Sequence, residues 1–375
     1  VVNFGQKPFK FPPPDGFQPL NAANVRPKTV IARPDQYVGV TTYKGTGTTS
    51  QSIRGLNFNA KPDFVWIKDR DNTYSNRLAD SVRGSTRVLF SDQNNSEQVN
   101  EYGTIDKFTL NGFDLRKGSN NNGDGSNTNN ADLVAWCWRA GGSKNTFNVD
   151  DVGYASAAAA GLTGGDITPT GASVGTKQGF SIIKFTTDSG ASGGDTLPHG
   201  LNSQPAMYIY KPTTTGEWVV VHSYDYDQFA YLNAATQFRS ISSNGGGTPA
   251  DPTSSVLTLY DLGVTLASKT YICYAWQDVP GLQKFGRYTG NSNANGSYVE
   301  LGFRPALLWI KRTDSTGNWV ILDTKRNPSN PVTTSLYADT SDQDYDPGQD
   351  WADLLSNGFK IRATYGEVNA SSGDY

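Results

Sequence analysis

One eight-residue phrase constrains this chain more than anything else in it. Lys61-Pro-Asp-Phe-Val-Trp-Ile-Lys68 returns as Gln204-Pro-Ala-Met-Tyr-Ile-Tyr-Lys211 and again as Arg304-Pro-Ala-Leu-Leu-Trp-Ile-Lys311. A proline is tolerated at the start of a strand because no ladder donor is needed there. The aromatic and branched residues that follow read as a buried strand. Three copies of one strand in one context predict three copies of one structural unit.

The flanking sequence repeats too. Copies two and three continue into Gly216-Glu217-Trp218-Val219-Val220-Val221 and Gly317-Asn318-Trp319-Val320-Ile321-Leu322, glycine-led return strands. Copies one and three share Asn111-Gly112-Phe113 and Asn357-Gly358-Phe359, and Asn-Gly between apolar runs signals a hairpin turn. Copies one and two close on Leu133–Trp138 and Tyr271–Trp276, whereas copy three reaches Tyr375 where its closing strand is expected to begin. The last repeat therefore reads as incomplete, its missing strand unmapped, cleaved or supplied by a neighbour.

The expected fold is all-β: tandem antiparallel, jelly-roll-like β-sandwiches of about a hundred residues each, with separate cores holding Trp66, Tyr208 and Trp309. The expected segments are 1–35, a connector; 36–142, the first repeat; 143–178, a linker rich in Gly, Ala, Ser and Thr; 179–282, the second repeat; and 283–375, the third. The polar stretch from Gly118 to Asn130 reads as an exposed excursion. Tyr154–Ala160 reads as a helical turn or two.

A net charge of −3 lacks the basic footprint that nucleic acid or an anionic membrane requires. No apolar run is long enough to span a bilayer as a helix. The two cysteines, Cys137 and Cys273, fall on closing-strand faces opposite the tryptophans and read as free core residues of a chain made in a reducing cytoplasm.

Chemistry-bearing patterns are sparse. His199 and His222 lack a third partner for a metal or a catalytic base, and each is expected to bond local backbone. Gly-x-Ser-x-Gly occurs at Gly171–Gly175 and Gly190–Gly194, but no helical pattern follows either to make a nucleophile elbow. These features predict neither an enzyme nor a cofactor. Asp342, Asp344 and Asp346 alternate like the first ligands of a calcium loop, with Asp353 at the last position; Pro347 in place of glycine favours a solvated loop instead. Tyr224 and Tyr226 admit two readings, a glycan- or receptor-stacking patch or members of the core.

Asn3-Phe4-Gly5-Gln6, Pro8-Phe9, Pro14-Asp15-Gly16-Phe17 and Leu20 resemble the C-terminal end of a SPRY-type module of tailed phages. The three phrases, Leu133–Trp138, and His199-Gly-Leu201 with Trp218–His222 resemble the repeated β-domains that follow it in marine, cyanophage-like virion and tail-fibre-like proteins. That resemblance implies a virion component: a tail fibre or adhesin touching host glycan or receptor, or alternatively a capsid decoration or head fibre protein, or a non-catalytic carbohydrate-binding module. It also implies other virion proteins as partners and a homotrimer. An elongated row of domains is expected.

Overall fold

A computed structural model describes residues 31–99, 103–118, 125–263 and 265–375. The SPRY-like residues Asn3–Leu20 lie outside the described residues.

The phrase forms a strand each time, Phe64–Asp69, Met207–Pro212 and Leu307–Ile310. Each pairs antiparallel with the return strand after it, so Phe64 faces Asp80, Met207 faces His222 and Leu307 faces Asp323. A third strand follows, setting Phe90 against Arg77, Tyr231 against Val219 and Tyr337 against Val320. The closing strands Asp132–Trp138 and Thr270–Trp276 lie on the other side of the first two phrases. These registers make Ile209, not Tyr208, the counterpart of Trp66 and Trp309. Tyr208 points to the opposite face and donates its hydroxyl to the Thr258 carbonyl.

The chain is all-β, in antiparallel sheets packed as sandwiches. A six-stranded sheet around the first phrase packs on a three-stranded sheet of Ser50–Arg54, Gly112–Arg116 and Thr104–Thr109. Ile53, Phe113 and Leu115 there meet Val65, Ile67 and Cys137. A nine-stranded sheet holds the second phrase, with the short pair Thr196–Pro198 and Val256–Thr258 lying over it. Around the third phrase, two three-stranded sheets enclose Leu308, Ile310, Leu322, Trp351 and Phe359.

The expectation of separate cores in a row is corrected by the other faces of the same sheets. Phe64, Trp66, Val134 and Trp136 of the first unit share one buried cluster with Met207, Ile209, Trp218, Val220 and Tyr274 of the second and Trp319, Ile321 and Leu336 of the third. Each phrase strand is thus apolar on both sides, one side in its own sandwich and the other in a common core. A strand buried on both faces loses the polar alternation of a half-exposed one.

Two composition-based expectations are also corrected. The 143–178 segment is no loose linker: Phe147–Val149, Val152–Tyr154 and Pro169–Gly175 extend the nine-stranded sheet. Its small residues fit where a larger side chain has no room; at Gly165 a Cβ would stand 2.8 Å from the Thr196 carbonyl oxygen. Within it, Tyr154–Ala160 makes a turn that buries Ala157. In the 118–130 stretch, residues 119–124 lie outside the described residues, but Ser126 and Asn127 are buried. The Ser126 carbonyl accepts from Tyr43 Oη, and Asn127 Oδ1 accepts from Thr46 N–H.

The Asn-Gly pairs do mark hairpins, with a shift of one residue. The two-residue loop is Leu110-Asn111, since Thr109 pairs with Gly112, and Asn111 takes the left-handed φ of 57°. Gly112 belongs to the strand, where a Cβ would lie 2.0 Å from the Ile53 carbonyl oxygen. Gly358 is placed identically, 2.0 Å from the Val299 oxygen. Gly112→Ala and Gly358→Ala are therefore expected to lower unfolding free energy by about 1–3 kcal/mol each in urea titrations. Gly286→Ala, at a position with nothing within 4 Å, should leave the midpoint unchanged.

Candidate functional site

Buried polar groups gather along three seams between the repeats. Each seam is built from the same positions, and each repeat grips the one before it, the first closing on the third. The phrase lysines cross the seams. Lys211 Nζ donates to the carbonyls of Asn94 and Asn95 (3.4 and 3.1 Å) as well as to Pro212 and Thr214, both at 2.9 Å. Lys311 Nζ reaches Ala235 O at 3.1 Å, and Lys68 Nζ reaches Ser341 O at 3.1 Å. Asn94, Ala235 and Ser341 each stand four residues after the matched positions Phe90, Tyr231 and Tyr337. Burial pushes the lysine ammonium groups down, to about 8 for Lys68, about 7 for Lys211 and about 8 for Lys311. The converging carbonyl dipoles act in the opposite direction, because they bond the charged form.

A second contact repeats beside the first. Trp218 Nε1 donates to Phe90 O at 2.7 Å and Trp319 Nε1 to Tyr231 O at 2.9 Å; at the matching position Asn76 Nδ2 donates to Tyr337 O at 3.1 Å. A third is backbone to backbone: Glu97 N–H to Thr213 O, Phe238 N–H to Thr313 O, and Asp344 N–H to Arg70 O, between 2.7 and 3.0 Å.

Two seams also carry a buried ion network. Asp80 binds Arg83 at 2.6 Å, Arg83 reaches Glu97 at 3.1 Å, and Tyr274 of the next repeat donates its hydroxyl to Asp80 at 2.7 Å. Asp323 binds Arg326 at 2.7 Å, Arg326 reaches Asp344 at 2.9 Å, and Trp136 Nε1 donates to Asp323 at 3.1 Å. At the third seam the matching residues are His222 and Phe238. Every oxygen of Asp80 and Asp323 is occupied by a donor: Oδ1 of each accepts two backbone N–H groups. Such groups are committed to cohesion and have no free lone pair to offer a substrate.

The residues singled out from sequence are scattered over this scaffold. Asp344 is an anchor: one oxygen accepts from Arg326 and the other from Arg70 at 2.7 Å. Asp346 caps its own turn by accepting from Gly348 N–H, and Asp342 N–H donates to Thr340 Oγ1. Among the described residues no three His, Cys, Asp or Glu side chains gather as a metal-holding group. Tyr224 and Tyr226 lie in a turn, not on a strand, so they part company: Tyr226 donates to Pro205 O and packs on the second repeat's core, while Tyr224 sits edge-on to Phe238 with Arg287 over its ring. Both are half-buried.

His199 is fully buried; its Nδ1 accepts from Leu201 N–H and its Nε2 lies 3.2 Å from Thr253 O. His222 Nδ1 accepts from Tyr224 N–H. Burial pushes both imidazoles down to about 4. Cys137 and Cys273 are free and buried, and burial raises both thiols.

Sequence reading missed the three lysines as a set. Their signal was present: a lysine ending each apolar phrase at the same position, in phase with the residues that face the common core.

The fold and its seams define a class: an all-β module of three related sheets closed around a shared core. A family model described as "Domain of unknown function (DUF7483)" matches residues 33–375, and the chain belongs to that family. No curated protein and no solved structure matches it.

Two outcomes follow from the seams. Lys211→Met leaves four carbonyl oxygens short of a donor and is expected to cost on the order of 3 kcal/mol by chemical unfolding. For His199, the folded value of about 4 lies below the ordinary 6.5 of the unfolded chain. The unfolded state therefore takes up a proton first, and stability falls as pH drops from about 6.5 to about 4, then levels. Comparing wild type with His199→Asn across that window should show the wild type losing up to about 3 kcal/mol more than the variant.

Proposed function

We propose that this chain is a structural component of a bacteriophage virion, an exposed appendage module that contacts the host surface and catalyses no reaction. The observation that carries the reading is the use of the buried charges. Asp80, Arg83, Asp323, Arg326 and the three phrase lysines are all engaged in joining repeat to repeat. An active site needs groups whose bonding capacity is left open toward a cleft. The sequence resemblance to tailed-phage β-repeats supplies the virion setting, with assembly in the host cytoplasm and display on the particle exterior.

The closed arrangement alters what kind of appendage this is. A shaft of independent domains gains reach from each one, whereas three repeats locked around one core make a rigid knob that presents loops. A knob suits adhesion, and oligomerisation, as in the homotrimer that the resemblance implies, multiplies weak contacts with a surface glycan. Capsid decoration is the alternative setting for the same module.

Antibody labelling of intact particles, viewed by electron microscopy, decides between these. Label at the tail or tail-fibre tip is the expected result, and label spread over the capsid lattice favours decoration. Particles without label, or release of oligosaccharide from host polysaccharide by the purified chain, would overturn the proposal.

A further inference from the structure

One polar position recurs in every repeat, two residues after the matched Phe90, Tyr231 and Tyr337. Asp92, Asn233 and Asp339 stand there, and the Oδ1 of each accepts the backbone N–H of the Trp/Asn position: Asn76 at 2.9 Å, Trp218 at 3.1 Å and Trp319 at 2.9 Å. The residue just before the Trp/Asn position then has a side chain beside the second atom of this carboxyl or amide. In the second repeat Asn233 Nδ2 donates to Glu217 Oε2. In the first, burial raises the Asp92 carboxyl and the hydrogen bond from Ser75 acts against that rise. Even a serine therefore spans the distance.

The third repeat breaks the pattern. Asp339 is 8% exposed, and its Oδ2 is buried with no hydrogen-bond partner. Asn318, which matches Glu217 and Ser75, is turned away and donates from Nδ2 to Glu367 Oε1 at 3.0 Å. Glu367 belongs to Gly366–Asn369, a single turn of helix that has no stability of its own and depends on such ties. Its others are Tyr337 Oη to Glu367 Oε2 at 3.4 Å, Arg312 Nη1 to Gly366 O at 3.3 Å and Tyr288 Oη to Val368 O at 2.7 Å. The helix packs closely on the return strand, since a Cβ on Gly317 would stand 3.8 Å from Glu367 Cα.

We infer that Asn318 is the moving part of a pH-dependent clasp: it holds Glu367 and the helix while Asp339 is neutral, and passes to Asp339 Oδ2 once that carboxyl ionises. An unpaired charge buried in the fold is costly, and a hydrogen bond to it is worth more than one to a partly exposed carboxylate. Burial pushes Asp339 up to about 6; the Trp319 N–H and the Lys311 ammonium act against the rise, and Glu367 adds to it. Bonding to Asn318 favours the ionised form and lowers that value, so rising pH draws the amide across and falling pH returns it. Lys311, which faces Asp339 from the phrase strand, is turned to Ala235 O and Gly317 O and, at about 8, keeps its charge as Asp339 titrates. Both buried histidines, at about 4, change charge well below this range. The second repeat has no such device, because Asn233 carries a permanent donor where Asp339 carries a proton that it loses.

The test follows amide exchange at Val368 and Asn369, whose N–H groups both donate to Tyr365 O. It uses the 375-residue protein over about one pH unit either side of 6, with rates corrected for the intrinsic effect of pH. Exchange at both amides is expected to quicken about tenfold as pH rises, since each unit by which Asn318 lowers the Asp339 value shifts the two arrangements tenfold. Asp339→Asn, neutral throughout, should keep the slow acid-side rate, and Asn318→Ala should show the fast rate, neither with a step. In the unaltered protein the side-chain amide resonances of Asn318 and the carboxyl carbon of Asp339 should titrate with one shared midpoint, a readout that requires no variant to fold. Exchange that stays constant across the window, a step that survives in Asp339→Asn, or two separate midpoints overturns the inference.

Discussion

Everything in this structure depends on sheets that are apolar on two sides. A sheet with one apolar face is satisfied by a single partner layer, and the outcome is a free-standing sandwich. Here Val65 and Ile67 of the first phrase are covered by the sandwich partner, but Phe64 and Trp66 point the other way and need cover as well. The same is true of Ile209 against Tyr208 and Tyr210. Three sheets facing one another satisfy that need at once, and no two of them do. Burying the second faces also buries backbone at the seams, where each carbonyl requires a donor. The phrase lysine and the Trp/Asn position supply those donors, which is why the same side chains recur at each junction.

Much of this was legible in the residues. The phrase, the return strands and the closing strands are where their patterns place them, because period and branching decide strands locally. The free cysteines and the backbone-bonded histidines follow from equally local reasoning. The arrangement of the repeats was not read correctly, although its signature was on view. Phe-Val-Trp-Ile, Met-Tyr-Ile-Tyr and Leu-Leu-Trp-Ile do not alternate with polar residues, as a strand with one wet face would. Composition misled at 143–178, where glycine, alanine and serine mean close approach of backbones, not slackness. Period-two geometry misled at Tyr224 and Tyr226, because they lie in a turn where it does not apply. Asp344 looked like a ligand from its spacing; only the folded chain brings Arg70, 274 residues away in sequence, to its carboxylate.

The departures from threefold equivalence are as informative as the agreements. Two seams use a carboxylate–guanidinium network roofed by an aromatic donor, and the third uses His222 and Phe238, with Phe238 packed on Trp319. A buried ion pair and a well-packed apolar substitute of similar volume differ little in net stability, since desolvation offsets most of the attraction. What the networks add is selectivity of fit: a half-satisfied carboxylate in the common core is costly, so Tyr274 and Trp136 must arrive in one register.

Closure changes how stability is distributed. In a linear array of repeats each unit touches only its neighbours, and the end units fray because they lack one interface. Three repeats in a row have two interfaces; joined head to tail they have three, and none is an end. The contact of Lys68 with Ser341 and of Asn76 with Tyr337 is the one that turns the row into a ring. Its partners are more than 250 positions apart in sequence, so it is the entropically most demanding of the three to form. Once made, it places the shared core inside a continuous boundary, and loss of any seam exposes apolar surface belonging to all three sheets. The module therefore behaves as one cooperative unit in which the first and last repeats hold each other in place.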